Sequence, residues 1–151
     1  MTQIDNDQAL RAALKTLNAE QQRVLGARFA ERVMPLCRDE RVKRAIATGL
    51  REPLAPDEQA DAFKSARAYA VTSYTDCGKE TDWLAQADHF VAAAITAALT
   101  PDEATTDKQN RAWKAAVQVR MAVNCAMMED ETISESDEAR QQYALAEDFL
   151  G

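Results

Sequence analysis

Glycine and proline are scarce in this chain, with four of each among 151 residues. The four glycines are scattered, which excludes a glycine-rich loop of the kind that cradles phosphate. Histidine is rarer still. His89 stands alone, so any Ser-His, Cys-His or multi-histidine metal site would have to use it. Cys37, Cys77 and Cys125 are odd in number, far apart and without Cys-x-x-Cys spacing, so they read as reduced, mostly buried thiols rather than a disulfide framework or a zinc site. No segment approaches the roughly 18 apolar residues that span a bilayer, and the opening MTQIDNDQALRAALK has no apolar signal core. The expectation is a cytoplasmic protein with no membrane partner. Aromatics make up only 6% and the isoelectric point is near 4.8, whereas a protein that grips nucleic acid directly usually carries exposed aromatics and net positive charge.

What the chain does have is Ala, Leu, Glu, Arg and Gln, residues that lose little entropy in a helix, and few β-branched residues. Hydrophobic residues reach 46% and charged residues 28%, an ordinary globular balance. The expected fold is all-α, a single-domain antiparallel bundle of six or seven helices over residues 1–151.

Periodicity and capping signals place the helices. Leu10, Leu14 and Leu17 share one face of a first helix over about residues 7–17. Asn18 with Gln21 forms a capping box for a second, over residues 19–38. That helix contains Pro35, which falls opposite the apolar arc of Leu25, Phe29, Val33 and Leu36; the spacing predicts a curved helix rather than a broken one. Asp39 caps a third helix facing inward through Val42, Ala45, Ile46 and Leu50. After the connector REPLAP, Pro56 opens a fourth helix with the stripe Ala60, Phe63, Ala66, Ala70 and Tyr74, ended by Gly78. Thr81 or Asp82 caps a fifth reaching Leu99, and Thr100-Pro101-Asp102-Glu103 signals another start. Residues 112–128 are apolar at 13 of 17 positions, which predicts a helix at the centre of the bundle. A last helix begins near Ser134 or Ser136.

Charge is distributed unevenly. Residues 1–128 are neutral, with 17 basic and 17 acidic side chains, so the whole net charge of −7 sits in residues 129–151. There Glu129, Asp130, Glu131, Glu135, Asp137, Glu138, Glu147 and Asp148 face Arg140 alone. Residues 23–51 instead carry eight basic side chains against Glu31, Asp39 and Glu40. Such asymmetry can steer a charged partner; alternatively the two segments pair within the fold. The first reading makes Glu129, Asp130, Glu131, Glu135, Asp137 and Glu138 a partner-binding surface for a basic cleft. Arg41, Arg44 and Arg51, on the outer side of the third helix, form a second, basic patch.

Arg120 and Asn124 lie one turn apart on the apolar face of Trp113, Val117, Met121 and Met128. A buried guanidinium must be compensated, so they are expected to form a buried polar tie, with Asp61, Asp82 or Asp88 as partner, or the floor of a pocket. His89 sits among the alanines of the fifth helix's small-residue face and reads first as a structural histidine. Glu58-x-x-Asp61 and Glu135-x-x-Glu138 have the spacing with which helical nucleotide hydrolases hold magnesium, though in reversed order.

The stretch ERVMPLCRDERVKRAI, residues 31–46, resembles a motif of small helical bacterial immunity proteins of toxin systems. The likeness rests on Val33, Pro35, Leu36, Asp39, Arg41, Arg44, Ala45 and Ile46. Where that family carries Arg-Pro-Arg before the Ala-Ile, this chain has Arg41-Val42-Lys43-Arg44, and no binding residue carries over. The resemblance implies a non-enzymatic protein-binding module that needs no cofactor and no metal and neutralises a toxin or effector by occlusion. A phage-type acidic inhibitor of a host defence complex and a small metal-dependent nucleotide hydrolase are the alternatives.

Overall fold

The computed structural model describes residues 3–76, 82–102, 110–129 and 137–151, with the backbone alone for 74–76. Among these residues it is all-α. Seven helices run in order: α1 (Asp7–Leu14), α2 (Ala19–Arg32), α3 (Glu40–Gly49), α4 (Pro56–Asp76), α5 (Trp83–Leu99), α6 (Arg111–Glu129) and α7 (Glu138–Leu150). A 3-10 helix, Met34–Leu36, lies between α2 and α3. None of the described helices is long and apolar enough to cross a membrane.

Helix starts follow local hydrogen bonding. Asn6 accepts the Ala9 N–H at 2.8 Å. The Asn18–Gln21 capping box closes in both directions, at 2.8 and 2.9 Å. Asp39 accepts the Arg41 N–H at 2.8 Å, and Asp82 accepts that of Ala85 at 3.1 Å. Asn110 begins α6, accepting from Trp113 at 3.0 Å.

Two expectations are corrected. The second helix is broken, not curved: it ends at Arg32, and the chain tightens into the 3-10 helix that holds Pro35. Proline has no N–H for the carbonyl of residue 31 and disfavours α geometry at Met34, so one turn beside it gives up the α register. The central helix is α5, not α6. It packs against α2, α3, α4 and α6 and buries residues around most of its circumference. Its only charged residue is Asp88, whereas α6 carries Arg111, Lys114, Arg120 and Glu129, and charge keeps one side of a helix near water. Thr100 closes α5, its hydroxyl donating to the Thr96 carbonyl at 2.9 Å. The start signalled by Thr100 to Glu103 leads into residues 103–109, outside the described residues, as are Cys77, Gly78, Thr81, Ser134 and Ser136.

One hydrophobic core draws on all seven helices, from Leu10 and Leu14 through Phe29, Ile46, Ala66, Ile95 and Val119 to Ala146. Small residues allow one close crossing. A Cβ placed on Gly26 of α2 would stand 2.9 Å from the Ala98 Cβ of α5 and 3.3 Å from the Ala115 Cβ of α6. Glycine there lets three helices meet almost backbone to backbone.

Candidate protein-docking surface

α6 presents an unexpected outer face. Its buried residues, including Ala112, Ala115, Ala116, Val119 and Ala122, form one arc against α5 and α2. On the opposite arc Met121 is 41% exposed and Met128 57%, with Asn124 exposed between them and Val117 half-buried. Of the stripe read in the sequence as apolar, Trp113 packs against the core while Met121 and Met128 face solvent. Asn124 belongs to this surface and not to a buried tie. Unbranched, polarisable methionine adapts to varied partners.

Acidic side chains flank this helix in the chain. Glu129 follows Met128 and is exposed, and Asp137, just before α7, is exposed too. Asp130, Glu131 and Glu135 lie outside the described residues. Glu138 is corrected outright: it is only 5% exposed and accepts from Arg32 at 2.8 and 3.3 Å. That bond raises the Arg32 guanidinium above its ordinary range. Glu138 thus locks the start of α7 to the end of α2 and is spent inside the fold. The basic and acidic segments do touch, here and where Arg28 lies 5.4 Å from the centre of the Phe149 ring.

Arg120 has the carboxylate it requires, but on α1. Its Nη2 and Nη1 donate to Asp7 at 2.8 and 3.0 Å, and its Nε donates to Gln142 at 2.9 Å. Gln142, fully buried, passes the link to the Ala116 carbonyl at 3.0 Å. The Tyr143 hydroxyl donates to Asp7 at 2.7 Å, and the guanidinium lies 5.4 Å from the Trp113 ring centre. Arg120's hydrogen bond holds Asp7 below the usual carboxylate range. The tie joins α1, α6 and α7 at the edge of the core, where Arg120 is half-buried.

The basic patch exists as a groove. Arg41, Arg44 and Arg51 of α3 and its exit line a shallow depression of about 350 Å³ with Glu58 and Asp61 of α4. Two of its cations are answered internally: Arg41 by Asp39 at 3.1 and 3.2 Å, Arg51 by Glu58. The Glu58-x-x-Asp61 spacing therefore sits beside guanidiniums. Among the described residues no three His, Cys, Asp or Glu side chains are placed to hold a metal ion.

A buried carboxylate that the sequence offered only as a partner for Arg120 turns out to organise the corner after Pro35. Asp88 accepts the Arg38 N–H at 2.7 Å and the Tyr69 hydroxyl. Burial and the bond to Asp88 push the Tyr69 hydroxyl well above its ordinary pKa. Burial likewise drives the neighbouring Cys37 thiol up to about 12. Cys37 and Cys125 are both buried. His89 bonds through Nδ1 to Ser73 Oγ at 3.0 Å and meets Phe90 edge to face, and burial lowers its pKa.

Comparison with protein-family models, with curated proteins and with solved structures found no significant match.

Proposed function

We propose that the chain is a non-enzymatic protein-binding module of the immunity type, neutralising a bacterial toxin or effector by occluding a basic cleft. The observation that carries this reading is the outer face of α6, where Met121, Asn124 and Met128 stand exposed and run into Glu129. An apolar strip with acidic neighbours suits a partner whose functional cleft is basic around an apolar floor, because the apolar centre supplies affinity and the charge speeds encounter. The resemblance at residues 31–46 points to the same class of function.

The test uses the product of the adjacent gene, since immunity proteins are encoded beside their toxins. Co-expression should relieve its toxicity. Met121→Lys with Met128→Lys should weaken binding by about thirtyfold or more, since a single buried anchor is worth about 2 kcal/mol. Glu129→Lys with Asp137→Lys should slow association and flatten its salt dependence. Undiminished protection by both variants would move the contact elsewhere. Magnesium-dependent nucleotide hydrolysis abolished by Asp61→Asn would replace the binder reading with an enzymatic one.

A further inference from the structure

On the side of the bundle where α2 begins lies a cleft of about 360 Å³, independent of the α6 face. Glu20 and Arg23 of α2, Pro56 and Gln59 of α4, Asp102, and Arg111 of α6 line it. It holds two arginines that are almost wholly buried, Arg23 at 3% exposure and Arg111 at 7%. Each is anchored by a main-chain carbonyl. Arg23 Nη1 donates to Gly49 O at 2.5 Å, and Arg111 Nε to Thr100 O at 2.6 Å.

Carbonyls fix a guanidinium in place but do not neutralise it. The described carboxylates that reach them are themselves solvent-exposed. Glu20 is exposed and reaches Arg23 only at 3.5 Å; Asp102, which meets Arg111, is 80% exposed. Burial lowers the pKa of Arg23 in spite of the opposing pull of Glu20 and Glu52. Arg23 Nε and Arg111 Nη1 make no hydrogen bond among the described residues.

Two buried guanidiniums on one cleft, held by neutral carbonyls and paired with solvent-exposed acidic side chains, match the forked donors that recognise oxyanions. The volume lies in the range of small-molecule sites, and Leu54, Ala60 and Pro101 add apolar wall. We propose that this cleft binds a small molecule through a phosphate or carboxylate group, which takes the place of Glu20 and Asp102 on Arg23 and Arg111.

The experiment follows thermal unfolding and calorimetric binding of the full chain with inorganic phosphate, with acetate and with chloride at equal ionic strength. Phosphate or acetate should raise the melting temperature saturably, and chloride should not. Whichever of the two saturates at lower concentration identifies the group. Glu20→Gln and Asp102→Asn remove the competing carboxylates and should tighten binding about two- to fivefold, the scale of a lost exposed ion pair. Arg23→Met should abolish saturation, and Arg44→Gln, in the separate α3 groove, should leave it unchanged. Both carboxylates belong to exposed side chains, so those two variants test the idea even if Arg23→Met does not fold. The proposal is overturned if neither anion binds saturably, if Glu20→Gln and Asp102→Asn bind no more tightly, or if Arg44→Gln weakens binding as Arg23→Met does.

Discussion

Arg32 and Glu138 form a two-pronged ion pair, at 2.8 and 3.3 Å, that fastens the last turn of α2 to the first residue of α7. Glu138 is nearly buried while Arg32 keeps about a third of its side chain exposed. The two partners should therefore respond unequally to substitution. Arg32→Ala removes a two-pronged cationic partner from a buried carboxylate and should cost about 2–3 kcal/mol, more than Glu138→Gln, which keeps an uncharged acceptor for the guanidinium. Denaturant midpoints of the two single variants and the double variant give the coupling; equal losses from both single variants would contradict the asymmetry.

Gly26→Ala tests the three-helix crossing. An alanine in a helix interior ordinarily gains about 1 kcal/mol over glycine. Here its methyl would enter the space of Ala98 and Ala115, and overpacking a close core costs about 1–3 kcal/mol. The expected result is a net loss of stability of about 1 kcal/mol in urea unfolding, where an exposed helical glycine would show a gain.

Asp88→Asn tests the corner after Pro35. The carboxylate serves two donors, the Arg38 N–H and the Tyr69 hydroxyl. An amide offers only one oxygen and turns its NH₂ toward the other donor, at a cost of about 1–3 kcal/mol. Tyr69→Phe should cost less, about 1 kcal/mol. Modification of Cys37 by iodoacetamide reports on the same corner: the thiol, raised to about 12 by burial, should react slowly in the parent and faster in Asp88→Asn.

Two pH windows should separate. His89 has its pKa lowered by burial, against opposing effects of the Ala70 backbone and of Asp88. The unfolded chain therefore takes up this proton first. The His89 contribution is complete above pH of about 6.5 and declines as pH falls below it. Asp7 and Asp39, held low by Arg120 and Arg41, contribute above their ordinary range near 3.8 and lose that contribution only in stronger acid. The stability lost by the parent between pH 7 and 5 should thus shrink in His89→Asn, while Asp7→Asn should alter only the loss below about pH 4. Calorimetric melting across both windows measures this.

Helix starts were legible because their causes are local. The Asn18–Gln21 box, the Asp39 cap and the Asp82 cap involve residues two or three apart, a distance that spacing alone can express. Pro35 was legible as a disturbance, but whether the helix bent or broke depended on what held the chain beyond it, and Asp88 comes 50 residues later than Arg38.

By itself the sequence determined an all-helical chain, most of its caps, the inward faces of α1 and α3, and the concentration of negative charge after residue 128. Only the tertiary structure decided which apolar helix is surrounded and which carboxylate answers which guanidinium. Asp7 and Arg120 are 113 residues apart, and Arg32 and Glu138 are 106. Such pairs form where helices cross, and the crossings follow from small-residue packing at sites such as Gly26, not from any repeat along the chain. The same packing enclosed α5, with its single charge, and left α6 with one face to water. That choice put Met121 and Met128 on the surface, because moving Lys114 and Arg120 inside would have cost more than exposing two thioethers.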